Sequence, residues 1–212
     1  MPFLREILPS RGIRAGIWHI TETDAELLSL VILTEGEKLL YQSFRNNLRK
    51  KHWLACRALL RHLLDPVLPE ISYDLNGKPF LISGSHHISV SHAGEFAAAV
   101  YAENGSVGID IEQLKERIER VKERFMLERE IASVNPEHRL EHLYLYWCGK
   151  EALYKLHGKP DLDFRNDIHI HPFDYFCNTN HTGKATLTID GCLADYDLYY
   201  EKLGEYMVAI AW

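Results

Sequence analysis

The sequence predicts an α+β protein made of two similar halves, because a helix-like pattern followed by strand-like patterns occurs twice along the 212 residues. In the first half, apolar residues at near-helical spacing over residues 35–64 precede a β-rich stretch. In the second half, a helix-like pattern over residues 138–156 precedes short strand-like segments. We therefore expect each half to be a long helix packed on a small antiparallel sheet, with a pseudo-twofold axis relating the two.

Local signals predict the other elements of the first half. Residues 12–20 favour a strand, and Thr23-Asp24 is typical of the cap of a helix over residues 25–33. Asn76-Gly77-Lys78-Pro79 predicts a turn between two short strands. Three further strand-like stretches predict an antiparallel meander. They cover residues 88–91, 96–101 and 107–112.

The second half begins with charged sequence that favours a helix over residues 115–134, broken at Asn135-Pro136. The next helix is expected to stop at His157-Gly158-Lys159-Pro160. Its strands are predicted near residues 168–171, 185–190, 195–201 and 206–212. We place the boundary after Glu112, so that residues 1–112 and 113–212 form one compact unit with a site between the halves.

Composition narrows the class of protein. Hydrophobic residues make up 46% of the chain, and no apolar run reaches the ~18 residues of a membrane span. The N-terminus lacks the pattern of a secretory signal, and the four cysteines show no paired spacing, which favours free thiols. A net charge of -6 argues against general nucleic-acid binding. We expect a cytoplasmic protein that binds neither nucleic acid nor membrane.

Two short motifs carry most of the chemistry. In Gly108-Ile109-Asp110-Ile111-Glu112, the alternation of a strand places both carboxylates on one face. In Trp147-Cys148-Gly149-Lys150-Glu151-Ala152-Leu153-Tyr154-Lys155, helical spacing places Trp147, Glu151 and Lys155 on one face. Taken separately, an exposed acidic strand end and a surface Glu-Lys pair are the alternatives. Together, they could form a site for a hard divalent cation and a phosphate-bearing substrate.

In this order, the two motifs resemble those of the 4'-phosphopantetheinyl transferases, which carry G-x-D-x-E and then W-x-x-K-E-A-x-x-K. Ser91-His92 at a strand end and the segment from Asn76 to Phe80 are similar to further family elements. The likeness covers about residues 35–175. Because one chain holds both halves, the sequence resembles the larger, pseudo-dimeric Sfp-type branch, and we expect a monomer.

The resemblance implies a reaction and a metal site. Coenzyme A (CoA) donates its phosphopantetheine arm to a serine of an acyl or peptidyl carrier protein, and 3',5'-ADP is released. By resemblance, Asp110, Glu112 and Glu151 bind Mg²⁺, for which Mn²⁺ could substitute. Lys155 contacts the pyrophosphate, and either Glu151 or a metal-bound water takes the serine proton.

The resemblance also implies CoA contacts. Ser91 and His92 bind its phosphates, and Lys78 with Pro79 lines the adenine pocket, where a plain β-turn is the alternative. A basic row at four-residue spacing could hold the 3'-phosphate, although a solvated helix face would look the same. The row consists of Arg45, Arg49, Trp53, Arg57 and Arg61. From it we select Arg49 and Arg57.

The sequence is also consistent with other functions. The acidic residues would also suit a Mg²⁺-dependent phosphohydrolase or nucleotidyl transferase, and a non-catalytic module binding CoA or a carrier protein is a third hypothesis. The basic and apolar side chains of residues 115–130 are a candidate docking surface for an acidic carrier, or a solvated helix. His138 with His142, and His169 with His171, lack a third metal ligand and are expected to be surface histidines.

Overall fold

The computed structural model describes residues 3–65, 70–82, 86–176 and 179–212. The chain divides into two compact units, Met1–Asn104 and Gly105–Trp212. The predicted boundary lies after Glu112. The division comes earlier because the strand that carries Asp110 and Glu112 pairs with the last strand of the second unit.

The first unit consists of an antiparallel sheet, three helices and a separate hairpin. Its strands and helices are β1 (Phe3–Ser10), β2 (Ile13–His19), α1 (Asp24–Ser29), α2 (Glu35–Ser43), α3 (Asn47–Leu64), β3 (Ile71–Tyr73), β4 (Pro79–Leu81), β5 (His87–Ala93) and β6 (Phe96–Ala102). The sheet has the order β1-β2-β6-β5, and β3 pairs with β4 across the predicted turn. Helix α3 packs on this sheet through Leu54, Leu59 and Leu63, which are all fully buried.

The helix predicted over residues 35–64 is two helices. The Asn46 side chain accepts a hydrogen bond from the Arg49 amide at 3.2 Å and so caps a new helix, while Phe44 has an extended backbone. Because Asn competes for backbone hydrogen bonds, it favours a helix start over a helix interior. The sequence analysis also missed β1, which pairs with β2.

The second unit is a sheet of order β7-β11-β10-β9-β8 with one long helix. Its elements are β7 (Gly108–Gln113), α4 (Glu128–Ala132), α5 (Arg139–His157), β8 (Ile168–Ile170), β9 (His181–Ile189), β10 (Cys192–Leu203) and β11 (Tyr206–Ala211). The helix predicted over residues 115–134 was wrong for most of its length. Short 3₁₀ helices at Glu116–Arg120 and Lys122–Arg124 precede α4, since the backbone leaves helical geometry at Val121 and Phe125.

The predicted meander was half right. Strands β5 and β6 pair antiparallel, but β7 pairs with β11, about a hundred residues further along the chain. Local patterns mark strands well, whereas the choice of a distant partner depends on tertiary packing. As a result, the two acidic residues belong to the sheet beneath α5.

The two units share one topology. In the first, β2 leads to α3 and then to β5 and β6, and β6 pairs with both β2 and β5. In the second, β7 leads to α5 and then to β10 and β11, and β11 pairs with both β7 and β10. The prediction of two similar α+β halves, each with a long helix on an antiparallel sheet, is therefore confirmed, while the pseudo-twofold axis stays a prediction.

Helix α5 is tied to its surroundings by a buried ion pair. The Lys150 ammonium donates to Glu130 Oε2 and to the Phe164 carbonyl, each at 2.9 Å. Lys150 is 0% exposed and Glu130 1%. The Glu130 carboxylate also accepts hydrogen bonds from the amides of Leu127 and Ile170. One carboxylate thus joins α4, α5 and β8, and it determines which side of α5 faces inward.

Within the described ranges, no helix is both long and apolar enough to cross a membrane. Cys56 and Cys148 are buried free thiols, and Cys192 is an exposed one, as predicted. Cys177 lies outside the described residues.

Candidate active site

Gly108 brings strand β7 into direct backbone contact with α5. A Cβ atom at this position would lie 1.9 Å from the Ala152 carbonyl oxygen, which is far inside van der Waals contact. The face of β7 that carries Gly108, Asp110 and Glu112 therefore faces α5, and only glycine permits this approach. The first position of the G-x-D-x-E motif thus has a steric explanation.

Replacing Gly108 with Ala is expected to lower the free energy of unfolding by about 2–3 kcal/mol, because the strand and the helix must separate. Urea unfolding measures this change. Gly36 on α2 is a matched control, since a Cβ there meets nothing within 4 Å. Gly36→Ala should leave stability unchanged or raise it, and equal effects of the two substitutions would contradict the steric explanation.

Side chains of β7 and α5 contact each other through Asp110 and Glu112. The Lys155 ammonium donates to Asp110 Oδ1 at 2.7 Å and to the Ile109 carbonyl at 3.2 Å. About two turns towards the start of α5, the Trp147 indole donates to Glu112 Oε1 at 3.4 Å. These contacts place both acidic residues of the strand against the Trp-Glu-Lys face of the helix.

The raised pKa of Glu151 links its carboxylate to those of Asp110 and Glu112. Burial, followed by the charge of Asp110, raises the pKa of Glu151 to about 7. Burial and then Asp110 also raise the pKa of Glu112, against the hydrogen bond from Trp147. Three carboxylates thus share a partly desolvated region in which Lys155, and Arg117 towards Glu112, supply positive charge.

The donor chemistry of this group suits a hard divalent cation, which prefers carboxylate oxygens and would offset their mutual repulsion. The carboxylates, however, are not arranged as an assembled set of metal ligands. In the described part of the chain, no three His, Cys, Asp or Glu side chains stand close enough together to hold an ion as they are. To bind a cation, the protein would have to break the contact between Lys155 and Asp110, and the carboxylates would have to move closer together.

A mostly apolar cavity of about 290 Å³ lies beside Glu112 within the second unit. Its lining residues are Glu112, Arg117, Ile118, Val121, Tyr144 and Trp147. Arg117 belongs to the segment that the sequence analysis considered for carrier docking. The cavity offers apolar contact next to the acidic group, with one cationic side chain in its wall.

A second cavity, of about 180 Å³, lies within the first unit between α3, β5 and the β3–β4 hairpin. Four residues predicted to bind CoA line it, namely Arg49, Arg57, Pro79 and His92. Lys78 and Ser91 are not among its lining residues. Ser91 is buried on the opposite face of β5 from His92, as strand alternation requires, and Lys78 lies half-buried in the turn.

The basic row is not uniformly solvated, because Arg45 and Arg49 are exposed while Trp53 and Arg57 are buried. Arg57 is 6% exposed, and its guanidinium carbon lies 3.3 Å from the centre of the Trp53 ring. Arg49 is exposed and lies over the Phe44 ring at 4.7 Å. Arg45 precedes α3 and is exposed, so it does not continue the helical row.

The sequence analysis missed three residues that support this cavity. Glu37 pairs with Arg57, Tyr73 accepts a hydrogen bond from it, and His52 stacks on His92 with ring centres 4.2 Å apart. The His52 Nε2 also lies 2.8 Å from the Gly94 carbonyl. Only Glu37 carried a signal, because Thr34 and Glu37 have the spacing of a capping box.

His142 is not the surface histidine that the sequence predicted. It is 1% exposed, and its Nδ1 accepts a hydrogen bond from the Asn135 amide at 3.0 Å. Burial, and then the neighbouring His181, lower the pKa of His142 to about 4. The folded protein therefore holds this imidazole neutral, whereas the unfolded chain protonates it near pH 6.5.

Stability should consequently fall as the pH drops below 6.5, because the unfolded state binds the proton more readily. Between pH 7 and pH 5 we expect His142 to account for a loss of about 2 kcal/mol. Urea unfolding at both pH values measures it, and His142→Gln should remove that part of the slope. His171→Gln is the control, since His171 is exposed. An unchanged slope in His142→Gln would refute the assignment.

The second unit matches a known family. The family model of the 4'-phosphopantetheinyl transferase superfamily matches residues 106–211, which is half of the chain and nearly all of this unit. The chain belongs to the 4'-phosphopantetheinyl transferase superfamily, as its motifs predicted.

Individual relatives of the chain carry the name of the same family. A protein named 4'-phosphopantetheinyl transferase AcpT from Escherichia coli is 38% identical over 116 residues, or 52% of this chain and 59% of the relative. One of the same name from Salmonella typhi is 34% identical over 116 residues, or 52% of this chain and 60% of the relative. The match thus spans about three fifths of these relatives. It does not distinguish the Sfp-type branch, which stays a prediction.

Proposed function

We propose that this protein transfers the 4'-phosphopantetheine arm of coenzyme A to a serine of an acyl or peptidyl carrier protein. The observation that carries the proposal is the convergence of Asp110 and Glu112 with the helix face that holds Glu151 and Lys155. Membership of the superfamily and the names of the relatives point to the same reaction class. We include cytoplasmic location and a monomeric state in the proposal.

In the second unit, Asp110, Glu112 and Glu151 would hold Mg²⁺, or Mn²⁺ in its place. The ion would neutralise charge on the pyrophosphate of CoA. The side chain of Lys155 is 28% exposed, so its ammonium can reach a phosphate oxygen once the contact with Asp110 opens. Lys155 then acts as a point charge on the pyrophosphate, and Glu151 is the side chain we propose to receive the serine proton.

In the first unit, the cavity lined by Arg57 and His92 is the proposed site for the nucleotide end of CoA. Arg57 supports a phosphate contact best, because its guanidinium is buried at the cavity wall and has a hydrogen-bonding edge to offer. Arg49 and His92 are exposed and can close on the same ligand, while Pro79 offers an apolar wall. We also propose that Ser91 and Lys78 contact CoA, through backbone atoms or from positions beside the cavity.

The reaction balances as a phosphoryl transfer. The serine oxygen of the carrier bonds to the phosphorus that bears pantetheine, and the bond from that phosphorus to the bridging oxygen breaks. The serine loses its proton, and 3',5'-ADP leaves. Such a transfer needs little covalent chemistry from the protein, so positioning and charge neutralisation account for most of the catalysis.

The carrier protein is proposed to dock on the segment that follows β7. Arg117 lines the apolar cavity beside Glu112, and the neighbouring Ile118 is buried. Lys122 is less available, because its ammonium is paired with Glu119 at 2.9 Å. A basic side chain next to apolar surface suits an acidic helical partner.

The decisive experiment incubates the protein with CoA, Mg²⁺ and apo carrier proteins of fatty-acid, polyketide and nonribosomal-peptide synthesis. Mass spectrometry should find one added phosphopantetheine on a carrier serine and should find none when a chelator removes the metal. Release of ADP from CoA without any carrier would instead indicate a phosphohydrolase or nucleotidyl transferase. CoA binding with no turnover on any carrier would indicate a binding module.

A further inference from the structure

Glu37 is a buried carboxylate outside the groups assigned so far, and it contacts Arg57. Glu37 is 8% exposed and Arg57 is 6% exposed, and Glu37 Oε1 accepts a hydrogen bond from Arg57 Nε at 3.0 Å. The other oxygen of Glu37 accepts from the Thr34 amide at 3.0 Å. The start of α2 therefore fixes the carboxylate, and the carboxylate in turn fixes one edge of the guanidinium.

The remaining edges of Arg57 differ in what they contact. Its Nη1 donates to the Tyr73 hydroxyl at 3.2 Å, and its plane lies over the Trp53 ring. Its Nη2 is buried and has no hydrogen-bond partner among the residues that the structure describes. A buried guanidinium nitrogen without an acceptor is costly, so this edge is suited to an acceptor brought by a ligand of the adjoining cavity.

We propose that Glu37 is a positioning residue for CoA, which orients Arg57 so that Nη2 meets the 3'-phosphate of the ligand. The inference rests on the proposed function only in its choice of CoA as the ligand. An arginine side chain has many rotamers, and Glu37, Tyr73 and Trp53 restrict them before the ligand arrives. Because Glu37 accepts from Nε and leaves the buried Nη2 without an acceptor, it stabilises the charge while one nitrogen keeps its hydrogen-bonding capacity for a ligand.

The test compares the affinity of the whole protein for CoA and for 3'-dephospho-CoA by calorimetry. In the wild type, CoA should bind more tightly. Glu37→Gln has a single acceptor oxygen, which cannot serve both Thr34 and Arg57, so affinity for CoA should fall ~10-fold, or about 1.4 kcal/mol. Affinity for 3'-dephospho-CoA should change less than about twofold, because that ligand lacks the group that Arg57 would contact.

Glu35→Gln is the matched control. Glu35 lies in the same first turn of α2 but is exposed and pairs with Lys38 at 2.6 Å. This variant should bind both ligands as the wild type does. Equal losses for the two ligands in Glu37→Gln, or the same loss in Glu35→Gln, would overturn the proposal.

If Glu37→Gln does not fold, a double variant still tests the proposal. Glu37→Gln with Arg57→Gln removes both buried charges and should bind CoA as weakly as Arg57→Gln alone. A further selective loss in the double variant would show that Glu37 acts other than through Arg57. A wild type that binds both ligands equally would overturn the inference as well. Absence of transfer to every carrier would defeat the proposed function while leaving these binding comparisons valid.

Discussion

Replacement of Asp110 by Asn is expected to lower kcat/KM for transfer to a carrier protein by at least ~100-fold. Asn keeps the shape of the side chain but removes the charge that faces Lys155 and that is proposed to hold the ion. Asp110 is 3% exposed and accepts from Lys155 at 2.7 Å. The loss should therefore appear in the rate of transfer, measured by mass spectrometry at saturating CoA.

The fold should survive this change, because Lys155 is 28% exposed and water can solvate its ammonium. A thermal midpoint within a few degrees of the wild type checks this point. Asp195→Asn is the control, since Asp195 is an exposed residue of β10 that accepts from the Thr186 hydroxyl at 2.7 Å. Transfer by Asp110→Asn within a few-fold of the wild type would remove Asp110 from the proposed site.

Replacement of Lys150 by Met should destabilise the protein by about 3–5 kcal/mol, because it leaves the Glu130 charge buried without its partner. Lys150 and Glu130 are 0% and 1% exposed, and their charged atoms lie 2.9 Å apart. Burial lowers the pKa of Lys150, against the charge of Glu130. The free energy of unfolding in urea at neutral pH measures the loss.

The control is a partly exposed pair of the same composition. Lys122 and Glu119 also lie 2.9 Å apart, but their side chains are 19% and 28% exposed. Lys122→Met should cost less than about 1 kcal/mol. If Lys150→Met proved as mild as Lys122→Met, the buried pair would not be what ties α5 to α4 and β8.

The sequence predicted which faces the two motifs of the second unit occupy, because each motif lies on one regular element. The period of a strand puts Asp110 and Glu112 on one face, and the period of a helix does so for Trp147, Glu151 and Lys155. That the two faces meet depends on the pairing of β7 with β11, which no local pattern encodes. Only the family resemblance brought the two motifs together in advance.

Elements and residues that depend on distant contacts were harder to predict. Charged residues 115–134 have good helical propensity, yet 3₁₀ helices form where Ile118 and Phe125 turn into the core. Arg57 looked like one member of a solvated row because its buried partner Glu37 lies on another helix. No local pattern marks Lys150 as buried, since its partner Glu130 is twenty residues away in the sequence.

Because Lys150 and Glu151 are adjacent, the rotation of α5 about its own axis decides which of the two side chains faces the core. Lys150 is enclosed by Glu130 and Phe164, while the next side chain, about 100° around the helix, joins the carboxylates of β7. Insertion or deletion of one residue between Trp147 and Lys155 would turn a carboxylate into the core and a lysine out of it. Evolution of this segment should therefore proceed by substitution, with its length held constant.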